Sequence, residues 1–136
     1  MEKVLAAIDG RQGGREALSH AISLAQRMAV QLHILLVVAE GASGPSGGTE
    51  EMARHIELIK ASAQADGIPF QFFIAEGNFE EEVINFINGN GITLLVIEEG
   101  QGESARPAQR GLASWRTLRH RIACRIDVVA PKKTLS

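Results

Sequence analysis

Apolar positions along the chain alternate between two spacings, short continuous runs and helical stripes. Residues 3–9 (KVLAAID) form a run rich in Val, Leu and Ile that stops at Asp9-Gly10, a turn signal, and they predict a buried strand. From Gly14 the apolar positions Ala17, Leu18, Ala21, Leu24, Ala25 and Met28 recur at helical spacing, with Arg15, Glu16, Gln26 and Arg27 on the other side. Residues 31–39 (QLHILLVVA) are a second near-continuous apolar run, the pattern of a parallel strand covered on both faces. Residues 40–48 (EGASGPSGG) read as a surface loop, after which Thr49 caps a helix carrying Met52, Ile56, Ile59 and Ala63 and ending at Gly67 with Pro69 beyond. Residues 69–75 (PFQFFIA) are the third strand. Asn78 with Glu81 resembles a capping box and opens a helix through Val83, Phe86 and Ile87 that breaks at Gly89-Asn90-Gly91. Residues 92–97 (ITLLVI) are the fourth strand. Leu112, Trp115, Leu118 and Ile122 outline a last helix, and residues 126–130 (IDVVA) a fifth strand closed by Pro131.

Strict alternation of strands and helices implies right-handed crossovers onto a parallel sheet with helices on both faces, an α/β doubly wound three-layer sandwich forming one domain over residues 1–136. In such sheets ligands bind beyond the carboxyl ends of the strands, where the strand order reverses. The loops that matter are those after the first and fourth strands, which hold Asp9-Gly10 and Glu98-Glu99-Gly100.

Composition narrows the classes of function. A chain of 136 residues with 45% hydrophobic content buries a core without disulfides or a structural metal. The apolar run at 32–39 falls far short of the ~20 residues that cross a bilayer, and the N-terminus lacks a basic segment followed by an apolar one. A cytoplasmic location without a membrane contact is the expectation. Cys124 is the single cysteine, and with four scattered histidines it matches no zinc spacing, so no metal site is expected. The net charge of −2 conceals an asymmetry: residues 1–102 carry 6 basic and 14 acidic side chains, residues 103–136 carry 8 and 2. With Trp115 as the lone aromatic among them, these basic residues predict a solvated helix face rather than a nucleic-acid surface. His20, His33, His55 and His120 stand at unrelated spacings in predicted helices and strands, which suits structural or surface roles. Neighbouring positions assemble no Ser-His-Asp, Cys-His or paired-carboxylate arrangement, so the expectation is a protein without catalytic residues.

The opening AAIDGRQGGREAL, a strand ending in Asp-Gly and then a helix with Ala-Leu near its start, resembles the universal stress protein family. So do LHILLVV in the second strand, LLVIEEGQG after the fourth and the ending CRIDVVAPK, so that the resemblance spans the whole chain. The resemblance implies a flavodoxin-like or Rossmann-like five-stranded parallel sheet of order 3-2-1-4-5, and a homodimer paired through the last strand. In many members it also implies ATP held at the loops after the first and fourth strands. Asp9 then matches the aspartate that contacts the nucleoside, although an Asp before Gly is equally ordinary turn chemistry. Val37 or Val38 matches a position lining the adenine pocket, although an apolar residue there is core by default.

ATP-binding members carry glycine, two residues, glycine, nine residues, then Gly-Ser or Gly-Thr, because glycines let backbone N–H groups approach phosphates and the hydroxyl donates to them. Here Gly100 and Gly102 have one residue between them, Gly102 and Gly111 have eight, and Ser114 comes three positions after Gly111. The family glycine directly after the fourth strand is replaced by Glu98 or Glu99. Two unit charges about 5 Å apart at an effective dielectric of about 20 repel by roughly 3 kcal/mol, which penalises a bare triphosphate. The expectation is therefore a stress-response or regulatory protein with no cofactor, binding ATP poorly or not at all. The alternative is an adenine-nucleotide switch or slow ATPase, with ATP held by Asp9, Val38, Gly100, Gly102, Gly111 and Ser114, a bridging Mg²⁺ on Asp9 and Glu98 or Glu99, and Arg106 and Arg110 compensating. A receiver or flavodoxin on a similar sheet is disfavoured: Asp9 lacks an acidic neighbour, the third strand ends in Ala75-Glu76-Gly77, and GRQGGRE is no Ser/Thr-rich phosphate loop. Asp127, in place of an apolar residue in the last strand, either blocks further pairing or meets Arg125 across a dimer.

Overall fold

The computed structural model of the protein describes residues 2–9, 15–38, 54, 57–58, 60–61, 63–65, 67–98 and 114–129. Its elements follow the order β1 (Val4–Asp9), α1 (Arg15–Met28), β2 (Leu32–Val38), β3 (Phe70–Glu76), α2 (Phe79–Asn90), β4 (Leu94–Glu98), α3 (Ser114–Arg121) and β5 (Arg125–Val129), and the described positions between 54 and 65 are helical. The five strands pair in the order β3-β2-β1-β4-β5, every pair parallel. This is the order and the class that the alternating pattern and the resemblance implied.

Each face of the sheet holds one apolar core. On the first, α1 sets Ala17, Leu18, Ala21, Ile22 and Ala25 against Val4, Ala6, Ile8, Leu32, Ile34, Leu36, Leu94 and Val96. Ala17, Ala21 and Ala25 recur every fourth residue and are fully or almost fully buried, so the small side chains bring the helix axis close to the strands. On the second face, Phe79, Val83, Ile84 and Ile87 of α2 and Leu118 of α3 cover Leu5, Ala7, Leu35, Val37, Leu95 and Ile97. Arg121 of α3 binds the Glu81 carboxylate of α2, which holds that carboxyl below the usual range.

Local chemistry sets the boundaries. Asn78 caps α2: its Oδ1 accepts from the Glu81 backbone N–H at 3.0 Å, and Glu80, Glu81 and Glu82 suit the positive end of the helix. At the other end Gly91 takes φ 64° and its N–H returns to the Ile87 carbonyl, while Lys3 Nζ donates to the Asn90 carbonyl at 3.1 Å. Ile92 also bonds back to Ile87, which is why β4 begins at Leu94 and not at Ile92. The end of α1 has the same left-handed closure without a glycine: Ala29 stands at φ 55°, its N–H on the Gln26 carbonyl and that of Val30 on the Ala25 carbonyl. The predicted stop at Gly67 holds, with φ 65° and its N–H on the Gln64 carbonyl. The predicted cap at Thr49 and the stripe residues Met52, Ile56 and Ile59 lie outside the described residues.

His33 is the polar exception inside β2. It is 5% exposed, lies parallel to Phe73 at 6.4 Å between ring centres and edge-on to Phe86 at 6.1 Å, and its Nδ1 has no hydrogen-bond partner among the described residues. Burial in this aromatic setting pushes its pKa down, against an opposing contribution from the Val4 backbone and with a further lowering by the Lys3 charge. The folded state therefore holds His33 neutral, whereas the unfolded chain takes up a proton as pH falls below ~6.5. Stability is thus full above that pH and declines below it. Urea unfolding between about pH 7.5 and about pH 5 measures this, and His33→Phe is expected to flatten the acid decline; an unchanged slope would contradict it.

Candidate crevice at the β1 and β4 strand ends

The strand order reverses between β1 and β4: α1 leaves β1 for the first face, whereas α3, reached from β4, packs on the second. The carboxyl ends of these two strands therefore flank the crevice where a doubly wound sheet binds its ligand. Asp9 closes β1 with 3% exposure and stands in register with Val37 of β2, and Val38, one residue on, is 7% exposed. Asp9 and Val38 thus end neighbouring strands but on opposite faces of the sheet: Asp9 continues the row of Leu5 and Ala7, whereas Val38 packs into the core under α1. Ser114 is the first residue of α3. Gly100, Gly102 and Gly111 lie outside the described residues, as do Arg106, Arg110 and Glu99.

The side chain that organises the crevice is Glu98, the last residue of β4. It is half-buried, and its Oε1 accepts a hydrogen bond from the Glu16 backbone N–H at 3.0 Å. Glu16 is the second residue of α1, so the carboxylate sits on one of the unpaired N–H groups at the positive end of that helix. Glu98 is therefore a long-range helix cap that joins β4 to α1. The sequence carried the carboxylate at the end of the fourth strand, but not its partner.

A second unanticipated contact lies on the same face. His20 of α1 places Nε2 3.2 Å from Asp127 Oδ2 of β5. Within the chain Asp127 is thus met by a histidine, while Arg125 Nη2 lies 4.0 Å from Glu2 Oε2. Cys124 is half-buried, and burial pushes its thiol up, which suits packing rather than reactivity. Among the described residues no group of three or more His, Cys, Asp and Glu side chains is arranged to hold a metal ion, and no helix is long and apolar enough to cross a membrane.

Removing the Glu98 carboxylate strands the Glu16 N–H and uncaps α1. Glu98→Ala is expected to cost about 1 kcal/mol, and Glu98→Gln, which keeps a carbonyl acceptor, less than half of that. Urea unfolding of the three proteins decides it, and equal stabilities would contradict the cap.

The universal stress protein family model matches residues 1–120. Among solved structures, a universal stress protein in complex with cAMP superposes with TM-score 0.71 at 17% identity, over 95% of this chain and 96% of that one. A family member from Burkholderia pseudomallei superposes with TM-score 0.67 at 18% identity, over 94% and 95%. A member from Arabidopsis thaliana with AMP bound gives TM-score 0.63 at 12% identity, over 97% and 93%. A search of curated protein sequences gives no match. With the family model covering residues 1–120 of the sequence, the chain belongs to the universal stress protein family.

Proposed function

We propose that this protein is a non-catalytic, cytoplasmic stress-response or regulatory member of its family that binds ATP poorly or not at all and acts as a homodimer paired along β5. The observation that carries this reading is the Glu98 carboxylate on the Glu16 N–H. A helix N-terminus in the crevice of a doubly wound sheet is ordinarily available to a phosphate. Here the chain supplies its own anion, and a triphosphate brought near would meet a fixed negative charge with Glu99 next in sequence. The irregular spacing of Gly100, Gly102, Gly111 and Ser114 points the same way. For the dimer, the support is that β5 lies at one edge of the sheet and leaves Val128 38% exposed. Beside it runs a groove of about 550 Å³ lined by Leu24, Met28, Leu94 and Ile126 together with Arg119, Arg125 and Asp127.

A second reading, an adenine-nucleotide switch, is favoured by Asp9 closing β1 where the strand order reverses, and by the cAMP and AMP held in two of the similar structures. Isothermal titration with ATP, with and without Mg²⁺, and with AMP and cAMP separates the two, alongside chromatography of any nucleotide released on denaturation. The expected result is no measurable heat with any of them up to about 1 mM and no co-purified nucleotide. Micromolar binding of ATP would overturn the first reading and establish the switch.

A further inference from the structure

Asp127 is the middle residue of β5, and β5 is an edge strand. When two identical strands pair antiparallel about a two-fold axis over their full length, the middle residue faces its own copy. Pairing of this kind sets Asp127 opposite the second Asp127, with Cβ atoms ~5 Å apart, a like-charge juxtaposition that opposes association. On the same face His20 Nε2 reaches Asp127 Oδ2 at 3.2 Å, and the two side chains are 39% and 45% exposed, so the pair is open to solvent protons while β5 is unpaired. A neutral imidazole donates a hydrogen bond to the carboxylate but leaves its charge in place; an imidazolium cancels it.

From these placements we infer that His20 is a proton-operated determinant of self-association: protonation of His20 neutralises Asp127 and strengthens pairing of β5 with a second copy of this chain. The inference rests on the dimer proposed above and adds its regulation. The other charges near the pair are cations that do not titrate in this range, carboxylates held elsewhere, or groups further along; Arg119 of α3 and Arg125 line the same groove as Asp127. On β5, Arg125 is two residues from Asp127 on the same face, and its guanidinium stands 4.0 Å from the Glu2 carboxylate. On β4, Glu98 is committed to the Glu16 N–H. On β1, Asp9 is buried at the strand end, and β2 offers only the apolar Leu32, Ile34, Leu36 and Val38 to this face. On α1 itself, Glu16 lies one turn before His20 and Arg27 two turns after it. The opposite face of β5 contributes Ile126 and Val128, an apolar contact that pH leaves unchanged.

Sedimentation velocity over a concentration series at about pH 8 and about pH 5.5 tests this, with near-ultraviolet circular dichroism confirming the fold at each pH. The wild type is expected to show a dimer constant on the order of fivefold tighter at the lower pH. His20→Gln, which keeps a donor that cannot titrate, should hold the weaker constant at both, and Asp127→Asn the tighter constant at both. Val128→Asp should be monomeric throughout. A wild-type dimer whose constant does not move with pH, or a shift that survives in His20→Gln, would overturn the role of His20 while leaving the dimer standing. A wild type that is monomeric at both pH values, or a Val128→Asp variant that still dimerises, would overturn pairing along β5 itself.

Discussion

Burial of β1 on every side is the constraint from which the rest of the molecule follows. All of its residues from Val4 to Asp9 are buried, with β2 hydrogen-bonded along one edge, β4 along the other, and a helical layer above and below. A strand so enclosed must be apolar on both faces, and its covering helices must come close without overpacking. Ala6 and Ala7 in the strand and the alanine stripe of α1 meet that requirement, because small side chains at the contact let an interior reach the density of a close-packed solid. Polar chemistry is left to the strand ends. Asp9 marks where the apolar run stops.

At that end the electrostatics of the fold and of any ligand coincide. Parallel strands deliver helix N-termini to one side of the sheet, which gives doubly wound proteins a standing preference for anions there. In this chain the anion is internal, the Glu98 carboxylate on the Glu16 N–H. The contact does two things at once. It stabilises α1 across the switch point, and it places a negative charge in the space where a phosphate would gain most from the helix. Along the adjacent edge His20 and Asp127 tie the same helix to β5, so α1 couples the crevice to the strand that is open to a partner.

Much of this was legible in the sequence because it depends on periodicity and on local chemistry. The apolar runs placed all five strands to within a residue or two, and Asn78 with Glu81, Gly67 and Gly91 marked helix ends that the structure holds by hydrogen bonds. The crevice followed from topology, as did Asp9 at the end of β1. The contacts that define its charge were not legible, since Glu98 and Glu16 are 82 residues apart and His20 and Asp127 are 107 apart. No spacing rule joins positions so distant; only the register of β4 and β5 beside α1 does. His33 was hidden for a different reason, because a histidine within an apolar strand reads the same whether it faces solvent or, as here, Phe73 and Phe86.

The central claim is that the carboxylate of Glu98, and not a nucleotide phosphate, occupies the positive end of α1. A crystal structure of the protein grown with ATP and Mg²⁺ tests it most directly. The account predicts Glu98 Oε1 still on the Glu16 N–H, with no triphosphate ordered in the crevice. A triphosphate seated on residues 100–114, with the Glu98 side chain turned away from α1, would contradict it.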